Sequence, residues 1–300
     1  MNKLLQYVDN VLKPPQNQLY GIPSKINKIS NVIKNNTELS LKEIIPAGSY
    51  EKGTLLKYKP DVDLVLVFNK EPSIKRDWKK LMKKVYDRLL QAFPNNDIEL
   101  GDQIAIHLKF NDQNDAVNFD IVPSYEVSSP LQMASVKNSK IYQGITSKWH
   151  NEYWKQKKSI PLITETVMLL KDWNNKNKNE IKLKSFHMEL IAASAYEFRL
   201  ENNYNLDMFL ISCFQDIQGM IDGTPIFPVN WKYFDENSLY DHYDFPLLID
   251  PANPKENLLE YLSDEDAKKI KSKVTKAITN IKNENYGKVF DPKNKTKFFV

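Results

Sequence analysis

The stretch from Pro46 to Phe68, PAGSYEKGTLLKYKPDVDLVLVF, places the strongest constraint on what this chain can fold into. Its apolar end, DLVLVF, is rich in β-branched residues and predicts a buried strand. Asp61 and Asp63 lie at the start of that strand, two positions apart, so an extended backbone would direct both carboxylates to one face. Because neighbouring carboxylates repel each other unless a cation lies between them, the pair suggests a cation site.

A third acid lies in a similar setting further along the chain. Asp120 is flanked by apolar residues in VNFDIVPS, which also reads as a strand. A buried acid is costly unless it is paired. If the two strands are neighbours, three carboxylates converge into a hard-oxygen site suited to Mg²⁺ or Mn²⁺, and two such ions could activate a hydroxyl and stabilise pyrophosphate. The alternative is that Asp61 and Asp63 only cap a turn after Pro60 and that Asp120 pairs with a lysine.

The segment GSYEKGT, just upstream of the acids, has the composition of a phosphate-binding turn. Gly48 and Gly53 allow a tight backbone whose free N–H groups can cradle phosphate oxygens, and Ser49 adds a hydroxyl donor. The Gly-Lys-Ser/Thr order of a Walker loop is absent from this turn. Together with the acids, the turn favours binding of a metal-bound triphosphate.

The chain divides into a mixed α/β part and a mainly helical part. We expect a mixed α/β lobe with amino-terminal helices at residues 1–155 and a helical lobe at residues 156–300. IAIHLKF and AVNFDIVP alternate around NDQND and predict a hairpin, whereas IDPANPKENL, with two prolines, predicts an irregular loop. Helical periodicity predicts helices in the segments IPSKINKISNVIKNN after Pro23, SIKRDWKKLMKKVYDRLLQAF, IPLITETVMLLKDWNNKN, SFHMELIAASAYEFRL, NLDMFLISCFQDIQ and SDEDAKKIKSKVTKAITNIKN.

Composition excludes several classes of protein. Cys213 is the only cysteine among 300 residues, so no internal disulfide can form, and with four scattered histidines there is no structural zinc cluster. No apolar run approaches the roughly 20 residues needed to span a bilayer. The amino terminus reads as an amphipathic helix rather than a signal peptide, and we expect a cytoplasmic protein. The net charge of +4 comes mostly from lysines, which does not require a nucleic-acid surface.

The motifs together resemble a known superfamily. The order G-S-x-x-x-G-T, then D-V-D, then V-x-F-D-I-V-P is similar to the polymerase-β-type nucleotidyltransferases. MLLKDW, SFHMELIAASAYE and IDPANPKEN resemble the branch that contains 2′–5′ oligoadenylate synthetases, cyclic GMP–AMP synthase and the bacterial CD-NTases. The length and the lack of a zinc insertion look most like a compact bacterial CD-NTase of an anti-phage signalling system.

This resemblance implies a fold and a set of roles. The fold would be α+β and bilobal, with a mixed-sheet catalytic lobe and a mainly helical carboxyl-terminal lobe. Asp120 would be the base toward the acceptor hydroxyl, and Phe186 would stack on a base without the hydroxyl of the more usual Tyr. The remaining implied roles are metal binding by Asp61, Asp63 and Asp120, and triphosphate binding by Gly48, Ser49, Lys171 and Ser185.

The resemblance also implies an activity. A monomer would join NTPs, at least one of them a purine NTP, into a cyclic di- or trinucleotide with release of pyrophosphate on two Mg²⁺ or Mn²⁺ ions. We expect no nucleic-acid activator and no membrane, and a regulatory protein partner is compatible with the sequence. The alternatives are a linear-product transferase, such as an oligoadenylate synthetase or a tRNA nucleotidyltransferase, and a catalytically dead binding protein. At the residue level, Lys171 could be a snorkelling surface lysine and Phe186 plain core.

Overall fold

The structure is a computed structural model that describes residues 2–36, 38–69, 78–101, 104–111, 117–127, 144–200, 203–228, 246–291, 293 and 298–299. The chain forms two compact units. The first unit, here the sheet unit, comprises residues 14–154, and the second, the helical unit, comprises residues 1–13 and 155–300. A mixed sheet in one unit and mainly helices in the other confirm the expected α+β class.

A five-stranded mixed sheet forms the centre of the sheet unit. The strands follow the spatial order β1-β2-β5-β4-β3, in which β2 and β5 are parallel and every other pair is antiparallel. The antiparallel pairing of β4 with β5 confirms the predicted hairpin. The strands are β1 (Leu41–Ala47), β2 (Asp61–Phe68), β3 (Asp97–Leu100), β4 (Ile106–Lys109) and β5 (Asn118–Tyr125).

The burial pattern of β2 changes along the strand. Residues 64–68 are all buried, as expected for a central strand whose two faces are covered. At the amino-terminal end only Val62 is buried, and Asp61 and Asp63 on either side of it are partly exposed. The same alternation begins β5, where Phe119 is buried and Asp120 is partly exposed. The sheet therefore presents one polar face where β2 and β5 begin.

Helices complete the sheet unit. They are α2 (Gln16–Lys34), α3 (Gly48–Lys52), α4 (Trp78–Ala92) and α5 (Thr146–Lys157), the last of which crosses into the helical unit. The prediction that α2 begins after Pro23 is wrong, because the helix begins at Gln16 and contains Pro23. Proline removes one backbone donor, but the buried side of α2, which includes Ile22, Ile29 and Ile33, stabilises the helix through packing.

The remaining elements of the described residues belong to the helical unit. They are α1 (Lys3–Tyr7) with a π-helical turn at Val8–Leu12, α6 (Ile163–Lys176), α7 (Ser185–Arg199), α8 (Leu206–Ile221), β6 (Ile249–Asp250), β7 (Asn253–Asn257), α9 (Asp264–Lys282) and α10 (Tyr286–Phe290). In the part of the chain that the structure describes, no helix is both long and apolar enough to cross a membrane.

The first 13 residues belong to the helical unit rather than to the sheet unit with which the sequence had grouped them. Their apolar side chains Leu4, Tyr7, Val8 and Leu12 are fully buried. The Tyr7 hydroxyl lies 3.1 Å from Asp172 Oδ2 and 3.1 Å from the carbonyl oxygen of Phe290. The amphipathic pattern of the amino terminus thus serves a core that lies far away in sequence.

The segment IDPANPKENL is more regular than predicted. It forms the short antiparallel pair of β6 and β7. Asp250 starts the connection, because its Oδ1 accepts a hydrogen bond from the backbone N–H of Ala252 at 2.7 Å. An aspartate that binds the backbone two residues ahead stabilises a tight turn, which explains how a proline-rich segment keeps a hairpin.

Candidate active site

The pairing of β2 with β5 brings the three predicted acids onto one face of the sheet. Asp63 lies directly opposite Asp120 in the parallel register, and Asp61 lies opposite Asn118. Because alternate residues of a strand point to the same side, Asp61 and Asp63 share that face with Asp120. The strands are therefore neighbours, which was the condition under which the sequence predicted a convergence of carboxylates.

Polar neighbours hold the outer two carboxylates. Asn118 donates from Nδ2 to Asp61 Oδ1 at 3.1 Å, and Lys59 Nζ lies 3.7 Å from Asp61 Oδ2. On the other side, His107 Nδ1 lies 2.6 Å from Asp120 Oδ1. The Asp61 and Asp120 side chains are 30% and 33% exposed, so both remain accessible to a ligand.

The glycine-serine turn contacts this face through Gly48. Strand β1 ends at Ala47, which is paired with Asp63, and α3 begins at the next residue. Gly48 has a φ of +62°, and a Cβ built there would lie 1.7 Å from Asp63 Oδ2. A side chain at position 48 would therefore collide with the central carboxylate, and only glycine fits.

The rest of the turn is closed by backbone hydrogen bonds. Gly53 ends α3 with a φ of +74°. The N–H of Gly53 donates to the carbonyl of Tyr50 at 3.2 Å, and that of Thr54 donates to the carbonyl of Ser49 at 2.9 Å. Ser49 itself is partly exposed on the first turn of α3. Gly48 and Ser49, the two residues of this turn that were predicted to bind phosphate, thus lie beside the carboxylate face.

An open cleft of about 400 Å³ lies over part of this face. Among the described residues, no three His, Cys, Asp or Glu side chains are already gathered closely enough to hold a metal ion. The carboxylates nevertheless match a divalent cation in donor type, since hard oxygens are the ligands that Mg²⁺ and Mn²⁺ prefer. The cleft is lined by Asp61, Asp97, Glu99, His107, Leu108, Lys109, Asn118 and Asp120.

The other three predicted site residues lie in the helical unit. Lys171 on α6 is only 3% exposed, and its Nζ lies 2.6 Å from Glu189 Oε1 on α7. Lys171 is therefore not a snorkelling surface lysine. Ser185 and Phe186 begin α7 and are both partly exposed, so Phe186 is not plain core either. Since Glu189 is one helical turn beyond Ser185, the ion pair ties Lys171 to the start of α7.

His187, next to Phe186, is a structural histidine. It is 1% exposed, and its Nδ1 accepts a hydrogen bond from the backbone N–H of Lys184 at 3.2 Å. Burial lowers its pKa to about 3, with a further lowering by the charge of Lys184 and an opposing effect of Asp250. The imidazole is therefore neutral at physiological pH.

Sequence reasoning missed the polar partners of the predicted residues: His107, Asn118 and Glu189. The alternation of IAIHLKF places His107 on the polar face of β4, between two buried residues. What the sequence does not contain is the pairing register that puts His107 opposite Asp120. Glu189 carried a weaker signal, because it is an acid within the otherwise apolar helix segment HMELIAA.

The sequence profile of the Second Messenger Oligonucleotide or Dinucleotide Synthetase domain matches residues 1–157. The chain is 25% identical to the CBASS oligonucleotide cyclase CdnC of Escherichia coli strain KTE188, over 90% of this chain and 87% of that protein. It is 26% identical to the cyclic AMP-AMP-AMP synthase of E. coli strain MS 115-1, over 77% and 73%.

The fold has close counterparts among solved structures. The structure of E. coli MS115-1 CdnC with ATP has a TM-score of 0.78 at 21% identity, with 96% of each chain covered. The complex of the same CdnC with HORMA-deltaN has a TM-score of 0.77 at 20% identity, again with 96% of each chain covered. Similarity along nearly the whole chain confirms the expected nucleotidyltransferase fold.

Proposed function

Since this chain belongs to the Second Messenger Oligonucleotide or Dinucleotide Synthetase family, we propose that Asp61, Asp63 and Asp120 form its catalytic centre. The protein is a nucleotidyltransferase of the bacterial CD-NTase class, and it makes a cyclic oligonucleotide second messenger for anti-phage signalling. The observation that carries the assignment of the centre is the parallel register of Asp63 with Asp120, which places all three acids on one face.

The three carboxylates would hold two divalent cations, Mg²⁺ or Mn²⁺. Bound cations of this kind neutralise the charge of a triphosphate and of the pyrophosphate that leaves. Asp120 would accept the proton of the acceptor hydroxyl. Gly48 leaves room for the Asp63 carboxylate beside the turn, and Ser49 with the backbone N–H groups of the turn would grip the phosphates.

The residues of the helical unit would bind the donor nucleotide. Lys171 and Ser185 would contact the triphosphate, and Phe186 offers a partly exposed aromatic surface for stacking on a base. The buried ion pair with Glu189 holds Lys171 beside the start of α7, the helix on which Ser185 and Phe186 lie. Catalysis would then consist of positioning and electrostatic stabilisation of in-line attack on the α-phosphate.

The relatives suggest the finer features. One relative is named for a cyclic product of three AMP units, which supports a purine NTP as at least one substrate here and a cyclic di- or trinucleotide as product. The neighbour solved with a HORMA protein supports a regulatory protein partner. We propose that the enzyme acts in the cytoplasm as a monomer and without a nucleic-acid activator.

A product assay tests the activity. Purified protein is incubated with the four labelled NTPs and Mg²⁺ or Mn²⁺, and the products are treated with phosphatase. We expect a product that contains a purine and resists phosphatase, because a cyclic oligonucleotide has no terminal phosphate. A product from which phosphatase removes terminal phosphates would identify a linear-product transferase instead.

Replacement of two acids tests the site. We expect Asp61→Asn with Asp63→Asn to lower the rate by at least about a hundredfold, because neutral amides bind divalent cations less tightly than carboxylates. The melting temperature without metal should stay equal or rise, since a like-charge repulsion is removed. Asp97→Asn, an exposed acid that lines the same cleft, is the matched control and should change little. A double variant with a near wild-type rate would contradict the assignment.

A further inference from the structure

We propose that His107 is a positioning residue that orients the carboxylate of Asp120 for the reaction. The inference rests on the proposed function, because it takes Asp120 as a member of the catalytic centre. His107 lies on β4, directly opposite Asp120 of β5 in the antiparallel register. Its side chain is half-exposed and lines the same cleft as Asp61 and Asp120.

The contact is a short hydrogen bond. His107 Nδ1 lies 2.6 Å from Asp120 Oδ1, slightly closer than the roughly 2.7–2.9 Å usual between a nitrogen donor and a carboxylate. Because an ionised carboxylate only accepts, the imidazole nitrogen must be the donor, so its proton is on Nδ1. A carboxylate held at Oδ1 has a restricted plane, which would leave Oδ2 available to the cation and the acceptor hydroxyl that the proposed function assigns to Asp120.

The backbone next to the ring is shaped to accept this orientation. A Cβ built at Gly101 would lie only 2.5 Å from His107 Nε2. Gly101 directly follows β3, and its N–H donates a hydrogen bond to the carbonyl of Ala105 at 2.9 Å. Its lack of a side chain therefore leaves room for the imidazole in the position that reaches Asp120.

Asp61 has an equivalent arrangement on the other side of the site. Asn118 Nδ2 donates to Asp61 Oδ1 at 3.1 Å, again from the opposite position of a neighbouring strand. Both outer carboxylates thus accept a hydrogen bond from a side chain of the neighbouring strand, which fixes their direction. Partners that orient metal-binding residues in this manner typically contribute 10- to 100-fold to metal affinity or activity.

The test compares His107→Ala with His107→Asn, since the Asn amide can donate from nearly the same place as Nδ1. We expect His107→Ala to lower kcat by about tenfold or more, with little change in KM for the NTPs. Its affinity for Mn²⁺, measured on the nucleotide-free protein by calorimetry, should fall by a similar factor. His107→Asn should recover most of both losses, which a merely structural role of the ring would not predict.

Gly101→Ala provides a second test that keeps the histidine. The added methyl group would lie 2.5 Å from His107 Nε2 and 3.0 Å from the carbonyl oxygen of Ala105, so it should displace the ring and lower kcat. In the His107→Ala background only the carbonyl contact remains, and the effect of Gly101→Ala on kcat should be much smaller. The proposal would be overturned if Gly101→Ala lowered kcat by the same factor with and without the His107 side chain. It would also be overturned if His107→Asn were as impaired as a well-folded His107→Ala. Unchanged kcat and Mn²⁺ affinity in His107→Ala would overturn it as well.

The two proposals fail in different ways. If Asp61→Asn with Asp63→Asn retains activity, the catalytic centre is wrongly assigned whatever His107 does. If that variant is inactive while His107→Ala is unimpaired, the centre stands and only the role of His107 is refuted.

Discussion

At the scale of single residues, the candidate site consists of three acids on one face of the sheet and of neighbouring side chains that hydrogen bond to two of them. Asp61 and Asp63 are detectable because a two-residue spacing on a strand places both on one face, whatever the neighbouring strands are. The partners His107 and Asn118 depend on which strands pair and in which register, and that information is distributed over the whole sheet. Local patterns therefore predict a donor set more readily than the hydrogen bonds that orient it.

Gly48 leads to a residue-scale prediction. Gly48→Ala should lower activity by about a hundredfold or more, because the new methyl group must displace the Asp63 carboxylate. The left-handed backbone adds a stability cost of about 1–2 kcal/mol. Gly223→Ala is the matched control, since Gly223 has a φ of +98° but nothing within 4 Å of an added Cβ.

The two glycine variants separate backbone strain from displacement of the acid. Both should have lower melting temperatures, and only Gly48→Ala should lose activity and Mn²⁺ affinity. If both variants keep wild-type rates after correction for the folded fraction, a side chain at position 48 does not disturb Asp63 enough to affect catalysis.

At the scale of elements, helix and strand periodicity were reliable, and errors arose where packing or turn chemistry overrode a local rule. Pro23 lies inside α2 because an apolar helix side outweighs one lost backbone hydrogen bond. The segment with Pro251 forms a hairpin because Asp250 closes the turn. In both cases proline was taken as a breaker, although the surrounding contacts tolerate it.

The packing of α6 against α7 carries a prediction about Lys171. Lys171 and its ion-pair partner Glu189 are both buried. Lys171→Ala therefore leaves an uncompensated buried carboxylate and should lower the free energy of unfolding by about 3–5 kcal/mol. Loss of the proposed triphosphate contact should also raise KM for NTP by about tenfold or more. The single variant therefore mixes a folding effect with a binding effect.

A double replacement separates the two effects. Lys171→Met with Glu189→Leu removes both charges and should restore stability to near the wild-type value, as apolar replacements of buried ion pairs often do. The raised KM should persist, because the ammonium is still missing. Denaturant unfolding and NTP titrations measure the two quantities, and recovery of KM in the double variant would return Lys171 to a purely structural role.

At the scale of the whole molecule, the division into units was less readable than the fold class. The first 13 residues look like the start of the sheet unit in sequence, yet they pack into the helical unit. The amphipathic pattern of α1 predicts that one side of the helix is buried. The pattern does not show against which of the two units that side packs. The change from mixed to helical periodicity near residue 155 carried the class prediction, because it depends on many residues.

The stability of the helical unit should depend on pH through His187. Its pKa is about 3 in the folded chain and about 6.5 when unfolded, so only the unfolded chain takes up a proton between these values. The stabilisation is complete above about pH 6.5 and declines as the pH falls toward 3, by about 2 kcal/mol at pH 5.

Urea unfolding at pH 7.5 and pH 5 measures this effect. His187→Asn is the comparison variant, since its amide oxygen can accept the hydrogen bond from the Lys184 N–H but does not titrate. Its stability should fall less than that of the wild type between the two pH values. An identical pH dependence in both proteins would show that His187 contributes nothing to it.

The lysines of α9 bear on whether nucleic acid activates the enzyme. Lys269, Lys271 and Lys273 on α9 lie 2.5–2.6 Å from carboxylate oxygens of the same unit. Paired lysines have less charge to offer a polyanion, and nucleic-acid sensors depend on unpaired surface cations whose binding is steeply salt-dependent. We therefore expect nuclease-treated protein to make product at low salt with little change, less than about tenfold, when duplex DNA or RNA is added.

A charge-unmasking variant makes this expectation specific to α9. Neutralising the acidic partners through Glu180→Gln, Asp222→Asn and Glu265→Gln leaves the lysines in place without their counter-charges. This variant should bind duplex DNA more tightly than the wild type, with a steeper dependence on salt, because more phosphates can then be neutralised. Its basal rate of product formation should not change. A hundredfold rise in the wild-type rate with either duplex would show instead that the enzyme is a nucleic-acid sensor. The α9 lysines would then exchange their carboxylate partners for phosphates of the nucleic acid.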